Sequence, residues 1–355
     1  MISLQWQRRL NVSKWAGLFV PLLAVLMSLL LGAIFLYFYG FDPVEVYSEM
    51  FGGAFGSAYG ISETLVKGIP LMLCALAVSL AFRMQLWNIG AEGQLYMGAF
   101  AAGGIALYLG HLPAWLVLPL MLICAMIAGG LWGFIPGFLK ARWQVNETLT
   151  SLMLNYVAIF WVDYLIFGPW KDPNGRNFPL TAFFSESASL PTLGDTRVHA
   201  GLILAIMVAV ALWYVLRYSR WGYEVRVMGE SLEAASYSGM NNLRNIMLVM
   251  AISGAVAGIA GMVETSGVTH RVQQGLSPGY GYTGIIVAWL GRLHPFSIII
   301  ISFLFGGLLT GGYSVQTIGT PFSITQMLQG FLLFFLLAGE IFITHSVKIV
   351  RRRAN

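Results

Sequence analysis

Residues 244–264 read RNIMLVMAISGAVAGIAGMVE, an apolar run with a charge only at each end and small residues repeated through its second half. An apolar run of about 20 residues is long enough to cross a bilayer as a helix. Glycines such as Gly254, Gly258 and Gly261 disfavour soluble helices but are common where membrane helices touch. The stretch therefore predicts a transmembrane helix that packs closely against its neighbours.

The composition of the whole chain extends this prediction. Of 355 residues, 57% are hydrophobic and only 10% are charged, and the mean hydropathy is +0.74, whereas a soluble protein is about 25% charged. These values exclude a soluble globular, a disordered or a disulfide-rich secreted protein. The net charge of +5 comes from dispersed basic residues beside apolar runs. Membrane orientation explains that charge, so we expect contact with membrane lipid and no nucleic-acid partner.

Ten apolar stretches predict an all-α fold, a polytopic transmembrane helical bundle of about ten spans. Eight stretches are regular and two, 88–110 and 280–291, are Gly-rich or short. The regular ones are 16–40, 64–83, 113–137, 147–168, 199–217, 244–264, 294–313 and 322–344.

The positive-inside rule orients this bundle. With both termini in the cytoplasm and ten crossings, fifteen of the 20 Lys and Arg residues lie on the cytoplasmic side. The outer side then holds only Lys67, Lys171, Arg176, Arg197 and Arg271. We therefore expect cytoplasmic N and C termini.

No extramembrane segment is large enough for a separate domain. The sequence predicts a single transmembrane domain over 1–355, with an outer loop at 169–198 and a polar cytoplasmic loop at 218–243. Gly- and Pro-interrupted segments near 86–98 and 266–284 each precede a Gly-rich span, which suggests an internal repeat with broken helices, a pattern typical of transporter sites.

Two polar segments inside this apolar chain are candidates for a solute pathway. The first contains Asn88, Glu92 and Gln94 beside two glycines, and a buried carboxylate normally faces protein or a water-filled cavity. The alternative is an interfacial loop with Glu92 capping a helix N-terminus. The second segment contains Asn155 and Tyr156, two turns into a helix that Asn146 or Glu147 would begin. Hydrogen bonding between helices is the alternative for Asn155.

A third polar segment lies in the cytoplasmic loop. Its residues 229–239, GESLEAASYSG, predict a short helix with Leu232, Ala234 and Ala235 on one face, closed by Gly239. Such a helix is suited to docking in a partner's groove. An ordinary turn between two spans is the alternative.

Several kinds of chemistry are absent from the sequence. It contains no G-x-x-x-x-G-K-[ST] phosphate loop, no metal-ligand spacing and no G-x-S-x-G nucleophile turn. We therefore expect no catalytic residue, no metal site and no cofactor in this chain, which is not an enzyme.

The chain resembles the permease subunits of ATP-binding-cassette (ABC) importers in the branched-chain amino acid/ribose/nucleoside superfamily. Glu233-Ala234-Ala235 followed by Gly239 is similar to the E-A-A-x-x-x-G loop of these permeases, and 253–261, SGAVAGIAG, is similar to a helix of the superfamily. The runs at 86–94 and 145–156 are most similar to the nucleoside (simple-sugar) branch. The resemblance covers most of 64–340.

The resemblance implies a function and a set of partners. It implies a translocation pathway for nucleosides in the bacterial inner (plasma) membrane. The expected partners are ABC ATPase subunits that bind ATP, an extracytoplasmic substrate-binding lipoprotein and a second, non-identical permease that forms a heterodimer with this one. It also makes 229–239 a coupling helix that contacts the ATPase through Gly229, Glu230, Glu233, Ala234, Ala235 and Gly239.

Two other functions remain open from the sequence. A permease of the same superfamily could carry ribose or another simple sugar. A transporter of another class, coupled to ions, could use acidic residues in or near the spans, among them Glu92, Asp163, Glu264 and Glu340.

Overall fold

The computed structural model describes the backbone of residues 2–8, 16–175 and 178–351, with the side chains of 19–175 and 178–339. Some of the basic residues used above for orientation lie outside the described backbone: Arg9, Lys14, Arg176, Arg352 and Arg353.

Helices dominate the described chain, as predicted. They are α1 (Ala16–Phe38), α2 (Pro43–Phe55), α3 (Ala58–Phe82), α4 (Ala91–Leu109), α5 (Ala114–Trp143), α6 (Glu147–Phe167), α7 (Gly201–Tyr218), α8 (Arg220–Glu230), α9 (Leu232–Tyr237), α10 (Asn242–Glu264), α11 (Tyr280–Leu290), α12 (Pro295–Ser314) and α13 (Ser323–Thr344). Short 3₁₀ turns occupy Glu186–Ala188 and Val315–Ile318, and a π-helical turn occupies Thr265–Thr269.

The all-α class is confirmed, with one small addition. Strands β1 (Ile2–Arg8) and β2 (His345–Arg351) pair antiparallel, Ile2 opposite Arg351 and Arg8 opposite His345. This pair was not predicted, because neither terminal segment carries a strand signal as clear as the apolar runs beside it.

Each predicted apolar stretch coincides with a helix. In the described chain, seven helices are long and apolar enough to cross a membrane, namely α1, α3, α5, α6, α7, α10 and α12. The other three stretches correspond to α4, α11 and α13, which are shorter or more polar over the described residues. The count of ten spans and the cytoplasmic termini stay predictions.

Contacts divide the chain into two compact units, Ala54–Thr310 and the paired segments Met1–Gly53 with Gly311–Asn355. In the second unit α1 packs against α13, where the Phe35 and Phe331 rings lie 5.4 Å apart and the Ser28 hydroxyl donates to the Leu328 carbonyl over 3.3 Å. That the chain is one domain stays a prediction.

Within Ala54–Thr310, α10 forms the centre and packs against α3, α4 and α5. Glycines make this packing close. A side chain on Gly254 or Gly258 would strike backbone oxygens of α5, and one on Gly261 would strike the Leu95 carbonyl of α4. The small-residue pattern of 253–261 thus lets the backbone of α10 contact those of α4 and α5, and the sequence predicted such close packing.

The helix breaks also occur where the glycines predicted them. Between α3 and α4 the chain turns through 83–90, with Gln85 in the left-handed region at φ 56°. Beyond α10 the π-helical turn and an irregular segment lead to α11. At the start of α6, Asn146 caps the helix by accepting from the Leu149 N–H over 3.1 Å, as predicted.

We expect Gly258→Ala to destabilise the bundle. The added methyl group would strike the Ala125 carbonyl oxygen and lie 3.2 Å from the Gly129 Cα, and backbone cannot rotate away. Overpacking of this kind costs about 1–3 kcal/mol. A thiol-reactive dye that reports exposure of the buried Cys74 during heating measures the effect as a lower unfolding temperature.

The matched control is Gly330→Ala in α13, where nothing lies within 4 Å of the new methyl group. Its unfolding temperature should equal or exceed that of the wild type, because alanine favours a helix. Equal unfolding temperatures for both variants would contradict close packing at Gly258.

Candidate functional site

The turn at 83–90 brings the polar residues of the first candidate segment into the centre of the unit. It follows α3, which is buried over most of its length, and α4 begins at Ala91. The first N–H groups of a helix have no partner within the helix. Away from water, those of α4 need side-chain acceptors.

Asn88 supplies one acceptor and ties the turn to two helices. Its Oδ1 accepts from the Gly90 N–H and from the Gln94 amide, both over 3.0 Å. Its Nδ2 donates to Gln94 Oε1 over 3.1 Å and to the Ser253 hydroxyl over 2.8 Å. Ser253 in turn donates to the Ala77 carbonyl of α3 over 2.6 Å. These bonds join α3, α4 and α10 at one buried point.

Asn155 supplies a second acceptor, from α6. Its Oδ1 accepts from the Gly93 N–H over 2.8 Å, and its Nδ2 donates to the Ile89 carbonyl over 2.9 Å and to the Tyr282 hydroxyl over 3.1 Å. The amide therefore holds both sides of the bend and reaches α11. In this conformation Asn155 bonds helices together, the alternative that the sequence left open.

Glu92 lies in the first turn of α4 and is buried. Its Oε2 accepts from the Gly281 N–H at the start of α11 over 2.7 Å, and the Ser277 hydroxyl also bonds the carboxylate. A carboxylate near two helix N-termini is favoured by both helix dipoles. Glu92 thus joins α4 to α11. Its carboxylate also caps the N-terminus of α11, and capping of a helix N-terminus was the alternative interpretation of its segment.

The structure brings together four of the five pathway candidates and leaves one apart. Asn88, Glu92, Gln94 and Asn155 are buried around the start of α4, whereas the side chain of Tyr156 is 50% exposed. The sequence analysis did not select Ser253 and Tyr282 as site residues. A single hydroxyl within an apolar span was the available signal for Ser253.

The 229–239 segment forms the predicted short helix. Ser231 ends α8 and caps α9, where its hydroxyl accepts from the Ala234 N–H over 3.2 Å. Gly239 follows α9 in the left-handed region at φ 76°, a conformation that glycine adopts without strain. Ala235 is buried, but Glu233 is exposed and Tyr237 is 95% exposed. A helix with so much free surface is available to a partner.

The short helix is joined to the polar cluster through the turn. The Gly229 Cα lies so close to the Arg83 carbonyl that a side chain could not fit, and Gln85 Nε2 donates to the Gly229 carbonyl over 2.7 Å. Arg83 Nη2 donates to the Leu293 carbonyl over 2.6 Å. Movement of 229–239 would therefore act directly on the turn that carries Asn88.

Within the described side chains, no group of three or more His, Cys, Asp and Glu is arranged to hold a metal ion. That the chain binds no cofactor stays a prediction.

Similarity to known proteins extends over most of the chain. The family model described as "Branched-chain amino acid transport system / permease component" matches residues 60–337. The chain is 38% identical over its whole length to the glucose ABC transporter permease protein TsgB13 of Haloferax volcanii, of which it covers 96%. It is 36% identical over 97% of its length to the guanosine ABC transporter permease protein NupP of Bacillus subtilis, of which it covers 100%.

A more distant relative comes from the same bacterium as NupP. The guanosine ABC transporter permease protein NupQ of Bacillus subtilis is 27% identical over 69% of this chain, and the match covers 79% of NupQ. Two different permeases of one bacterium, both named for guanosine, are thus similar to this chain.

We expect Asn88→Leu to lower the free energy of unfolding. It leaves the Gln94 amide and the Gly90 N–H without their partner in a buried site, and each unsatisfied group costs about 1–3 kcal/mol. Asn88→Leu/Gln94→Leu should recover part of the loss, because it removes the unpaired amide as well. Thermal unfolding of the detergent-solubilised protein measures both.

Asn174→Leu serves as the control, since that side chain is exposed in the outer loop, and it should leave unfolding unchanged. If the double variant were less stable than Asn88→Leu by the full cost of a second lost group, the amide pair would not be the stabilising element.

Proposed function

The chain belongs to the family of branched-chain amino acid transport system permease components, and from this premise we propose that it forms the translocation pathway for nucleosides. It is the membrane permease of an ABC transporter, not an enzyme, and a multi-pass protein of the plasma membrane. Transport is therefore driven by ATP that partner ATPase subunits bind.

The similarity to NupP carries the choice of nucleosides, because the two chains align over nearly their full lengths. A simple sugar is the second candidate, since TsgB13, named for glucose, is 38% identical to the chain, against 36% for NupP. The ion-coupled alternative is set aside by membership in the ABC permease family.

An aromatic cluster on α4, α6 and the outer loop offers faces for a nucleobase. The Phe100 ring stacks on Trp170 at 5.4 Å and meets Trp161 edge-on at 5.9 Å, while Tyr108 contacts Trp170 at 6.4 Å. Trp161 and Tyr108 keep much of their surface exposed. Bases stack on such side chains, which then contribute about 1–3 kcal/mol per base.

The buried amides act differently in this proposal. Asn88, Gln94 and Asn155 have their hydrogen-bonding groups engaged in this conformation. They hold the bend at 83–90, and a change of bend during transport would expose them to the solute. Tyr156, already exposed, needs no such change.

Motion driven by ATP would be transmitted from the ATPase to the permease through 229–239. An ATPase bound to the exposed face of α9 would displace Gly229 against the Arg83 carbonyl. Gln85 would move with Gly229 because its side chain donates to the Gly229 carbonyl. The turn then shifts Asn88 and the start of α4. The permease would switch access by this route, with Gly229, Glu230, Glu233, Ala234, Ala235 and Gly239 as the contact segment.

Partners complete the transporter. ABC importer permeases work with ATPase subunits and a substrate-binding protein. We propose in addition a second, non-identical permease, and the presence of NupP and NupQ in one bacterium supports such a pair.

In membranes that contain the complete transporter, we expect unlabelled guanosine to suppress uptake of labelled guanosine and the same excess of glucose to leave it unchanged. Trp161→Ala should raise the KM for guanosine roughly tenfold, because it removes one stacking face. Initial uptake rates measure both.

Trp115→Ala is the control for Trp161→Ala, since Trp115 is an exposed tryptophan outside the aromatic cluster, and it should keep the wild-type KM. No saturable uptake of labelled guanosine, together with uptake of labelled glucose that guanosine leaves unchanged, would establish the sugar instead. An unchanged KM in Trp161→Ala would exclude the aromatic cluster from the pathway.

For coupling, we expect Ala235→Glu to abolish uptake while ATP hydrolysis and membrane insertion continue. The new carboxylate cannot occupy the buried Ala235 position, so α9 is displaced from its support. Ala114→Glu, the same change at the exposed first residue of α5, should transport normally.

A cysteine cross-link gives a direct measurement of the same contact. Glu233→Cys should cross-link to an ATPase subunit and Asp195→Cys, in the outer loop, should not. Normal uptake in Ala235→Glu together with no cross-link from Glu233→Cys would rule out the coupling role.

A further inference from the structure

Four basic side chains line one cavity beside α8. Arg83 follows α3, Arg217 ends α7, Arg226 lies on α8 and His294 precedes α12. The cavity has a volume of about 420 Å³, within the range of roughly 300–1,000 Å³ typical of small-ligand sites. The aromatic cluster does not use this cavity, and the coupling route uses only the backbone carbonyl of Arg83.

The positive charge of this basic cavity is not neutralised within the described chain. None of the described residues that line it is acidic, and neither Arg217 nor Arg226 has a carboxylate within 4.0 Å in the described part of the chain. Arg83 Nη2 bonds a carbonyl, but its buried Nε has no partner among the described residues. Burial and then the charge of Arg226 lower the pKa of Arg83. The cavity therefore favours an anion.

Aromatic rings beside the cavity indicate where the anion comes from. Trp213 lines the cavity, and its ring lies 5.6 Å from those of Phe296 and Tyr218, which are both exposed. Exposed aromatic side chains next to basic ones are typical of the membrane–water interface. Basic pockets between membrane helices on the cytoplasmic side bind anionic lipid headgroups.

We propose that this basic cavity binds the phosphate of an anionic phospholipid from the membrane leaflet nearest α8. The acyl chains would lie along Trp213 and Phe296. The guanidinium groups of Arg217 and Arg226 would hold the phosphate oxygens, and Arg83 would reach them from the turn. The lipid would thus bridge α8 to the turn at 83–90.

A neighbouring cavity extends this bridge toward the short helix. It has a volume of about 540 Å³, shares Arg217 and Arg226 with the first and reaches Ser238 and Gly239, with Glu224 also in its wall. Glu224 is engaged by the Asn245 amide over 2.6 Å. A lipid seated on the shared arginines would therefore also stiffen the support of α9.

The test titrates phosphatidylglycerol onto the purified full-length protein in detergent, with bound lipid counted by native mass spectrometry. Arg217→Gln/Arg226→Gln should weaken binding roughly thirtyfold, given the usual contribution of each basic residue near a charged lipid. Arg142→Gln/Arg244→Gln removes the same charge from exposed residues outside the cavity and should bind as the wild type does.

Two further titrations separate lipid from other anions. Phosphatidylcholine should bind equally weakly to all three proteins, and inorganic phosphate should displace phosphatidylglycerol only weakly. Equal affinity of the two double variants would overturn the site, and displacement by phosphate as strong as by the lipid itself would overturn the lipid assignment. All four exchanged arginines are exposed. Unfolding temperatures that match the wild type without lipid confirm that both double variants are folded.

Discussion

The break between α3 and α4 imposes the constraint on which the Ala54–Thr310 unit depends. A helix that starts in an apolar interior leaves N–H groups that water cannot reach, and each would cost several kcal/mol if unpaired. Asn88 and Asn155 pair the Gly90 and Gly93 N–H groups, and Glu92 pairs that of Gly281 at the start of α11. Because the acceptors come from the turn, α6 and α4, the breaks can exist only while these helices stay together.

Close packing at glycines brings the helices near enough to form these hydrogen bonds. The Ser253 hydroxyl reaches both Asn88 and the Ala77 carbonyl because α10 lies against α4 and α5 without side chains between them at Gly254, Gly258 and Gly261. The polar cluster and the close packing are therefore one structural feature. The same turn touches Gly229, so in the proposed coupling route the exposed helix would act on this turn.

Much of the fold was predictable, and so was part of the site. Apolar length and glycine content predicted both breaks and the ten helices that match apolar stretches, since these depend on local composition, whereas α2 and α8 were not predicted. The short helix at 229–239 was predictable because Ser231 and Gly239 cap it locally. The sequence could not show that the amides of Asn88 and Gln94 bond each other, or that Asn155 is buried while the adjacent Tyr156 is half exposed. Helix rotation and the choice of neighbouring helices depend on distant residues.

The positions of the basic residues show the same limit of prediction from sequence. The basic residues Arg83, Arg217 and Arg226 are spread over the sequence and read there only as markers of one membrane face, yet the folded chain places them around one cavity. By itself the sequence determined a helical membrane permease with interrupted spans, since hydropathy and small-residue spacing are local properties. Only the tertiary structure decided which polar groups meet, because in an apolar core that choice depends on which backbones approach closely enough to share hydrogen bonds.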